Sequence, residues 1–554
     1  MKRFFTYCMV VVAFATILVS CAGEKKQGAN GASDYTSAVS NDAIATVRLD
    51  AMQVLHKSGL YDMLMQQLKA AADSEVPEPL KPMVNSILSD LRNTGVDIEA
   101  PMYGYVEMVT NDDAFIGIVA KMHSKSKFEA IIAQLEKASH KEMPLQNIDG
   151  CTFLFYDPAE NVALAYNDTA IMFGVMTDET SPVGRIVKAL NAAADGEPTN
   201  ALPAYPGSDA AICVNIGPAI ELAKKTSDIE RFDSYLNVND LRNMKVNIAF
   251  NFAMGSIDLD LSVEGAPNSE YKPQPCSNAN LTYVPASAWA VANLPLNGGA
   301  LMDALNKLVN SNKEIKQAVD EEIREATDGG MNYSTIMAFV EPLVRTVNGD
   351  ATVALNKLNI QRNMRFEYNA YTEQYETIED KEIKVDASAM VSVTNRTIFD
   401  LIEGNLLSKH PDMTRINDSC YTFNVDGYSG YIGQQENLLF ASMPYAISRA
   451  NNPISNAAWY NDVQGSYGFI VLNIDAILSS PAISEKLNEE LNDLEYPARS
   501  WVHQFKSQLN YLLLNAHAPE ELKLKLALKN KKKNSLEQIV DIVKFDILTK
   551  LSSK

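Results

Sequence analysis

The side chains able to do chemistry are spread along this chain rather than grouped. Four cysteines beyond position 21, namely Cys151, Cys213, Cys276 and Cys420, show no CxxC spacing and allow three disulfide pairings. Cys213 sits in an apolar run with Ile212 and Val214, where a buried thiol acts as a small hydrophobe. The six histidines, His56, His123, His140, His410, His503 and His517, form no HExxH pair, so a zinc hydrolase lacks its ligands. His140-x-Glu142-Met143 and His410-x-Asp412-Met413 repeat one pattern. A repeated metal site would use it. A helix-ending loop whose methionine fills the core explains it more simply. Ser124-Lys-Ser-Lys127 has SxxK spacing, but it stands where a strand turns into a helix, a place for a capping serine. Gly427-Tyr428-Ser429-Gly430 is not a GxSxG elbow, and Gly298-Gly299 and Gly329-Gly330 stand alone without a phosphate loop. Two carboxylate clusters, Asp320-Glu321-Glu322-Glu325 and Glu485-Glu489-Glu490-Asp493, fall on helical polar faces. Acid–base work needs carboxyls in unlike environments within a cleft; these read as solvated faces. The sequence nominates no catalytic, cofactor-binding or metal-binding residue and implies no cofactor.

One cysteine has a defined chemistry. Lys2 and Arg3 precede an apolar run, Phe4 to Val19, which ends in Leu18-Val19-Ser20-Cys21. A basic start, a short apolar run and small residues at the cut describe a secretory signal; a membrane span needs about 20 apolar residues. Leu18 to Cys21 resembles the lipobox of bacterial lipoproteins. That resemblance implies cleavage between Ser20 and Cys21 and a diacylglycerol on the Cys21 sulfur. It also implies a palmitate-type chain on the new amine and anchoring to a membrane through lipid. Each buried methylene adds about 0.8 kcal/mol, so several chains hold firmly. Residues 1–20 are then a signal peptide. Residues 21–37, small and polar, are a flexible tether. Ala22, rather than Asp, points by analogy with enterobacterial sorting to the outer membrane.

The elements that carry these residues follow from composition and pattern. The chain has 554 residues, 46% hydrophobic and 21% charged, with a net charge of −21. That composition is globular and excludes a mostly disordered chain or a multi-span membrane protein. Such acidity excludes a nucleic-acid partner, since phosphate contacts need clustered cations. The run Lys529, Lys531, Lys532 and Lys533 reads as a solvated turn after the last strand, with anionic headgroups as its alternative partner. Trp289, Trp459 and Trp501 do not distinguish a core role from a sugar-binding platform.

An internal duplication organises the remainder. Gly207-Ser208 with Ile212 and Asn215-Ile216 matches Gly465-Ser466 with Ile470 and Asn473-Ile474 without a gap. Phe128 and Ile131 match Phe399 and Ile402; the two His-x-acid-Met blocks follow, then Cys151 and Cys420; Asn167 to Phe173 matches Gln434 to Phe440. The order is collinear. The expected fold class is α+β, with two tandem homologous halves, each a largely antiparallel sheet with packed helices. The halves are residues 38–265 and 281–545, joined by a Pro- and Asn-rich linker at 266–280 and followed by a tail at 546–554. Alternation predicts strands over Ile257–Leu261, Leu522–Leu528, Tyr103–Val109, Phe115–Met122 and Met364–Tyr371. Helical spacing predicts Lys127–Ser139, Leu301–Ala326 and Trp501–Ala516, among others.

The lipobox, the tether and the strand units opening on polar turns such as Asp42-Ala43 and Asp209-Ala210 are together similar to a family of uncharacterised Bacteroidetes lipoproteins, a domain family of unknown function. The resemblance implies an envelope location and supplies no catalytic or ligand residue. It also makes Asp168-Thr169-Ala170 similar to a short O-glycosylation sequon, with Thr169 as the acceptor. Three functions fit. The first is non-enzymatic binding or scaffolding with a protein partner. The second is a carrier or sensor of a small or lipidic ligand held in a cleft between the halves. The third is a hydrolase with a site that no motif reveals.

Overall fold

A computed structural model describes residues 34–552, apart from 111–112, 141–142, 158–160, 178–179, 221–240, 267–272, 312, 328, 370–373 and 426. The fold mixes helices with antiparallel strands. Its contacts divide the chain into two compact units: residues up to Pro267 together with 530–554, and residues 268–529.

The first unit contains β1 (Ala43–Leu49), β2 (Val96–Asp97), β3 (Met102–Met108), β4 (Ala114–Met122), β5 (Gln146–Ile148), β6 (Cys151–Asp157), β7 (Val162–Tyr166), β8 (Ala170–Met176), β9 (Ala210–Asn215), β10 (Lys245–Ala253) and β11 (Ser256–Glu264). They pair antiparallel in the order β11–β10–β9–β1–β3–β4–β8–β7–β6–β5, with β2 against the end of β4. Polar side chains start the helices. Asp50 caps the helix Ala51–Ser58 by accepting from the Gln53 amide, and Ser124 caps Lys125–Ser139 by accepting from the Lys127 amide. Gly95 makes that second helix possible. Its φ is +84°, its carbonyl takes the His123 and Ser124 amides, and a Cβ there would lie 2.6 Å from the Ser124 carbonyl oxygen. The core packs Tyr105, Phe115, Val119, Phe153 and Met172 under Ile186 and Leu190 of the helix Val183–Asp195. Each such large side chain contributes about 1.5–3 kcal/mol on burial. Tyr35 and Ser37, which the sequence places in the tether, are already buried.

The second unit contains β12 (Ala290–Asn297), β13 (Val347–Asn369), β14 (Gln374–Val393), β15 (Met413–Asn417), β16 (Cys420–Val425), β17 (Tyr428–Gln435), β18 (Leu438–Met443), β19 (Phe469–Leu472), β20 (Leu509–Ala518) and β21 (Glu521–Leu528). Their order is β21–β20–β19–β12–β13–β14–β18–β17–β16–β15. Strand for strand, this is the neighbour order of the first unit. Its core gathers Trp459, Phe469, Val471, Tyr511, Leu513 and Phe440.

Several sequence expectations change. The helix expected over Leu301–Ala326 is two helices, Gly298–Ser311 and Lys313–Ala326. The helix expected to reach Ala516 stops at Gln508, and β20 begins at Leu509. Leucines on both faces of β20 hide its alternation. The strand expected over Met364–Tyr371 is the far part of β13, a strand of 23 residues.

Candidate functional site

The residues that the sequence nominated stay apart. Ser20 and Cys21 lie outside the described residues. Thr169 is half-buried in the turn before β8, and its amide donates to the Asn167 carboxamide. His140 is the left-handed C-cap of the helix Lys125–Ser139, whereas Glu142 lies outside the described residues. His410 is exposed beside Asp412, with Nδ1 3.7 Å from the carboxylate. Met143 and Met413 pack against small apolar clusters, with Phe128 in one and Phe399 in the other. Asp320 is half-buried and accepts from the Tyr333 amide at the start of the next helix; Glu321, Glu322 and Glu325 are exposed. Lys529 pairs with Asp475, and Lys533 with Glu537 and Asp541. Among the described residues, no three His, Cys, Asp or Glu side chains converge to hold a metal ion.

The thiols are shielded. Cys151, Cys213 and Cys276 are buried and Cys420 is half-buried, all four unbridged. Burial raises every one of them. Cys276 is pushed up to about 12, first by burial and then by the Asp350 carboxylate. A raised thiol is protonated at neutral pH and a poor nucleophile. Cys151 and Cys420 do occupy one place, the first residue after a two-residue turn, opposite Ile148 and Asn417 respectively.

The feature that sequence reading missed is a whole sheet face. Directly opposed residues in an antiparallel sheet share a face. In the first unit one such row runs Leu261, Ile248, Ile212, Val47, Gly104, Ile118, Phe173, Leu164, Phe155 across nine strands. The next row on that face runs Val263, Val246, Val214, Ala45, Val106, Ile116, Val175, Val162. The first row contains no polar side chain, and the second meets one only at its end, Asp157 opposite Val162. Yet Val47, Ile116, Ile118 and Phe155 are exposed, and Ile212, Ile248, Leu261 and Phe173 are only half-buried. The second unit repeats this arrangement with Leu524, Leu514, Ile470, Ala292, Val353, Ala389, Ala441, Ile432, Tyr421. Val353, Ile470 and Leu514 are exposed there.

The polar groups are on the other face or at its rim, and they are buried. Thr46, Arg48, Cys213 and Asn247 point into the first core. Arg48 donates to the Ser208 carbonyl and pairs with Asp50 at 3.4 Å. Asp209, fully buried, accepts from Lys57 Nζ at 2.7 and 2.8 Å, from Gln53 Nε2 at 2.6 Å and from the Phe252 amide at 2.6 Å. In the second unit Thr352 Oγ1 donates to Asn293 Oδ1 at 2.6 Å, both fully buried. Asp350 accepts from Ser277 and from the Asn278 amide. These are satisfied structural bonds. Their carboxylates are committed to fixed partners.

The class so defined is a two-unit, largely antiparallel α/β protein with a mainly aliphatic, half-open sheet face in each unit. The chain belongs to the family of domains of unknown function DUF4836, whose model matches residues 35–536. No curated protein and no solved structure matches it. Among the described residues no helix is long and apolar enough to cross a membrane.

Proposed function

We propose that this is a lipid-anchored, non-enzymatic protein of the cell envelope that carries an apolar, acyl-type ligand on its mainly aliphatic sheet faces. One observation carries the reading: a row of nine apolar side chains crosses nine strands without a charge and is left half-open to solvent. Contiguous exposed apolar surface is costly in water and marks a binding surface. A face whose side chains are aliphatic or aromatic across its central strands suits hydrocarbon better than a polar substrate. The lipobox at Leu18–Cys21 supports anchoring through Cys21 at the outer membrane. Collinear sequence blocks and one shared strand order support descent of the two units from a duplicated ancestor.

The test is titration of the purified chain with a fluorescent fatty acid. Wild type binds at micromolar concentration or tighter. Val47→Asp in the first unit and Ile470→Asp in the second each weaken binding at least tenfold at the altered face. Failure of wild type to bind, or indifference to both substitutions, removes the acyl-carrier reading and leaves scaffolding of a protein partner. Anchoring is tested separately by Cys21→Ala, which releases the chain from the membrane fraction. Protease shaving of intact cells then reports which side of the membrane it faces.

A further inference from the structure

The β13–β14 hairpin outruns its sheet. Strand β12 covers β13 only as far as Leu355, and β18 covers β14 only from Ala387 onward. From Lys357 opposite Asp386 to Asn369 opposite Gln374, thirteen residue pairs have no third strand laddered beside them among the described residues. At about 3.4 Å per residue this ribbon is roughly 40 Å long. Its two faces differ. Met364, Phe366 and Tyr368 alternate along β13 and Tyr375 lies opposite Tyr368, their rings 5.3 Å apart. Arg365 and Glu367, on the intervening positions, pair with each other at 3.4 Å. Met364 is 67% exposed, Phe366 75% and Tyr375 74%. An isolated two-stranded ribbon is marginal in water, and this one adds bare aromatic surface.

The apolar tip lies on the same side as the sheet face described above but is separated from it, because Arg362 opposite Lys381 and Glu379 opposite Met364 hold the register positions between Leu358 and Phe366. Strand β14 has no extra residue between Ala389 and Val385, so Val385 shares the face of Ala387 and Ala389. The bulge at Asn356 brings Leu358 opposite Val385 onto that same face, and Met364, Phe366 and Tyr368 keep its parity. A second copy is a poor occupant. One face of a ribbon about 40 Å long and about 10 Å wide offers roughly 400 Å², about half of what each partner contributes to a standard interface. A bilayer has no such threshold, and tyrosine rings favour its interface.

We propose that this ribbon docks on a bilayer through Phe366, Tyr368 and Tyr375, independently of the acyl-carrier reading. The segment from Lys357 to Asp386 holds five basic and seven acidic residues, so the surface it fits is zwitterionic rather than anionic.

The experiment places a polarity-sensitive thiol fluorophore at Tyr375→Cys in the full chain carrying Cys420→Ser, with Asp418→Cys, at an exposed turn, as control. With phosphatidylcholine vesicles the label at 375 shifts to the blue and is quenched at least fivefold by nitroxide lipid, while the label at 418 does neither. An unshifted label at 375 overturns the docking. A shift that depends on protein concentration without vesicles overturns it in favour of a second copy. In a second measurement, Phe366→Asp with Tyr375→Asp lowers the fraction of protein that sediments with phosphatidylcholine vesicles at least fivefold, and unchanged sedimentation overturns the docking.

Discussion

Phe115 and Ile116 are neighbours in β4 that face opposite ways. Phe115 is wholly buried among aromatic and aliphatic side chains, whereas Ile116 is 38% exposed in a row of aliphatics. The contrast extends over both sheets. The buried face holds Arg48, Thr46, Asn247, Asn293 and Thr352; the half-open face is aliphatic across its central strands and meets polar side chains, Asp157 and Tyr421, only where its rows end. A sheet optimised for stability alone would place its polar side chains outward. Here the core tolerates Asn247, Asn293, Thr352 and the Arg48 Nη1 because each is bonded within it, and the open face stays greasy at a cost in solubility. The open face is therefore where selection for something other than folding is visible.

Substitutions that cross this divide break or sharpen the contrast. The largest effects belong to the buried face. Asp209→Ala strands Lys57 and the Phe252 amide and destabilises by about 3–5 kcal/mol, read as a lower denaturation midpoint. Phe115→Ala costs about 3–5 kcal/mol, whereas Ile116→Ala one residue away costs about 1 kcal/mol by the same measurement. Equal costs would mean that the two faces are packed alike. The glycines repeat the contrast on a smaller scale. A Cβ at Gly117 would meet Met172 Cε at 2.7 Å and the Tyr105 ring at 2.8 Å, so Gly117→Ala overpacks the core by about 1–3 kcal/mol. A Cβ at Gly104, on the open face, would meet nothing nearer than 3.9 Å, and Gly104→Ala stays within about 0.5 kcal/mol.

Alkaline pH gives the smallest and slowest effect. Burial raises the thiols of Cys151, Cys213 and Cys276 above the ordinary value of 9. The unfolded chain therefore releases those protons first as pH rises. The stability they contribute is whole below pH 9 and drains away above it, for Cys276 across the window from 9 to about 12. Thermal melting between pH 8 and 11 should fall accordingly, and less steeply once Cys276→Ala removes the largest of these shifts. A thiol reagent at pH 8 should modify Cys420 before the three buried cysteines.

Much of this was legible in the sequence. Ile257–Leu261 and Leu522–Leu528 alternate and do form β11 and β21. Ser124 is a cap. Phe128 and Phe399 both reach apolar clusters, as their matching positions implied. What escaped is instructive. Asn167–Phe173 matched Gln434–Phe440, but strand pairing sets Met172, opposite Ala165, in the place of Phe440, opposite Gly433. The two hairpins are equally long between these positions, so sequence similarity set the whole block one residue out of register. The open face escaped because a strand apolar on both sides has no period to read. That is why Leu509–Ala516 passed for the end of a helix. The ribbon escaped because its alternation, Met364, Phe366, Tyr368, reveals a strand without revealing that no third strand covers it.

Residues 530–554 belong to the first unit. Asn534 pairs with Met254 and donates to the Phe252 carbonyl, and a Cβ on Gly255 would lie 2.6 Å from the Lys531 backbone. A chain made from its N-terminus thus presents β1 to β11 long before the segment that completes them. Its first-made unit is finished last. For that whole interval its strands need a keeper, and a stop codon near 530 would injure the opposite end of the gene product.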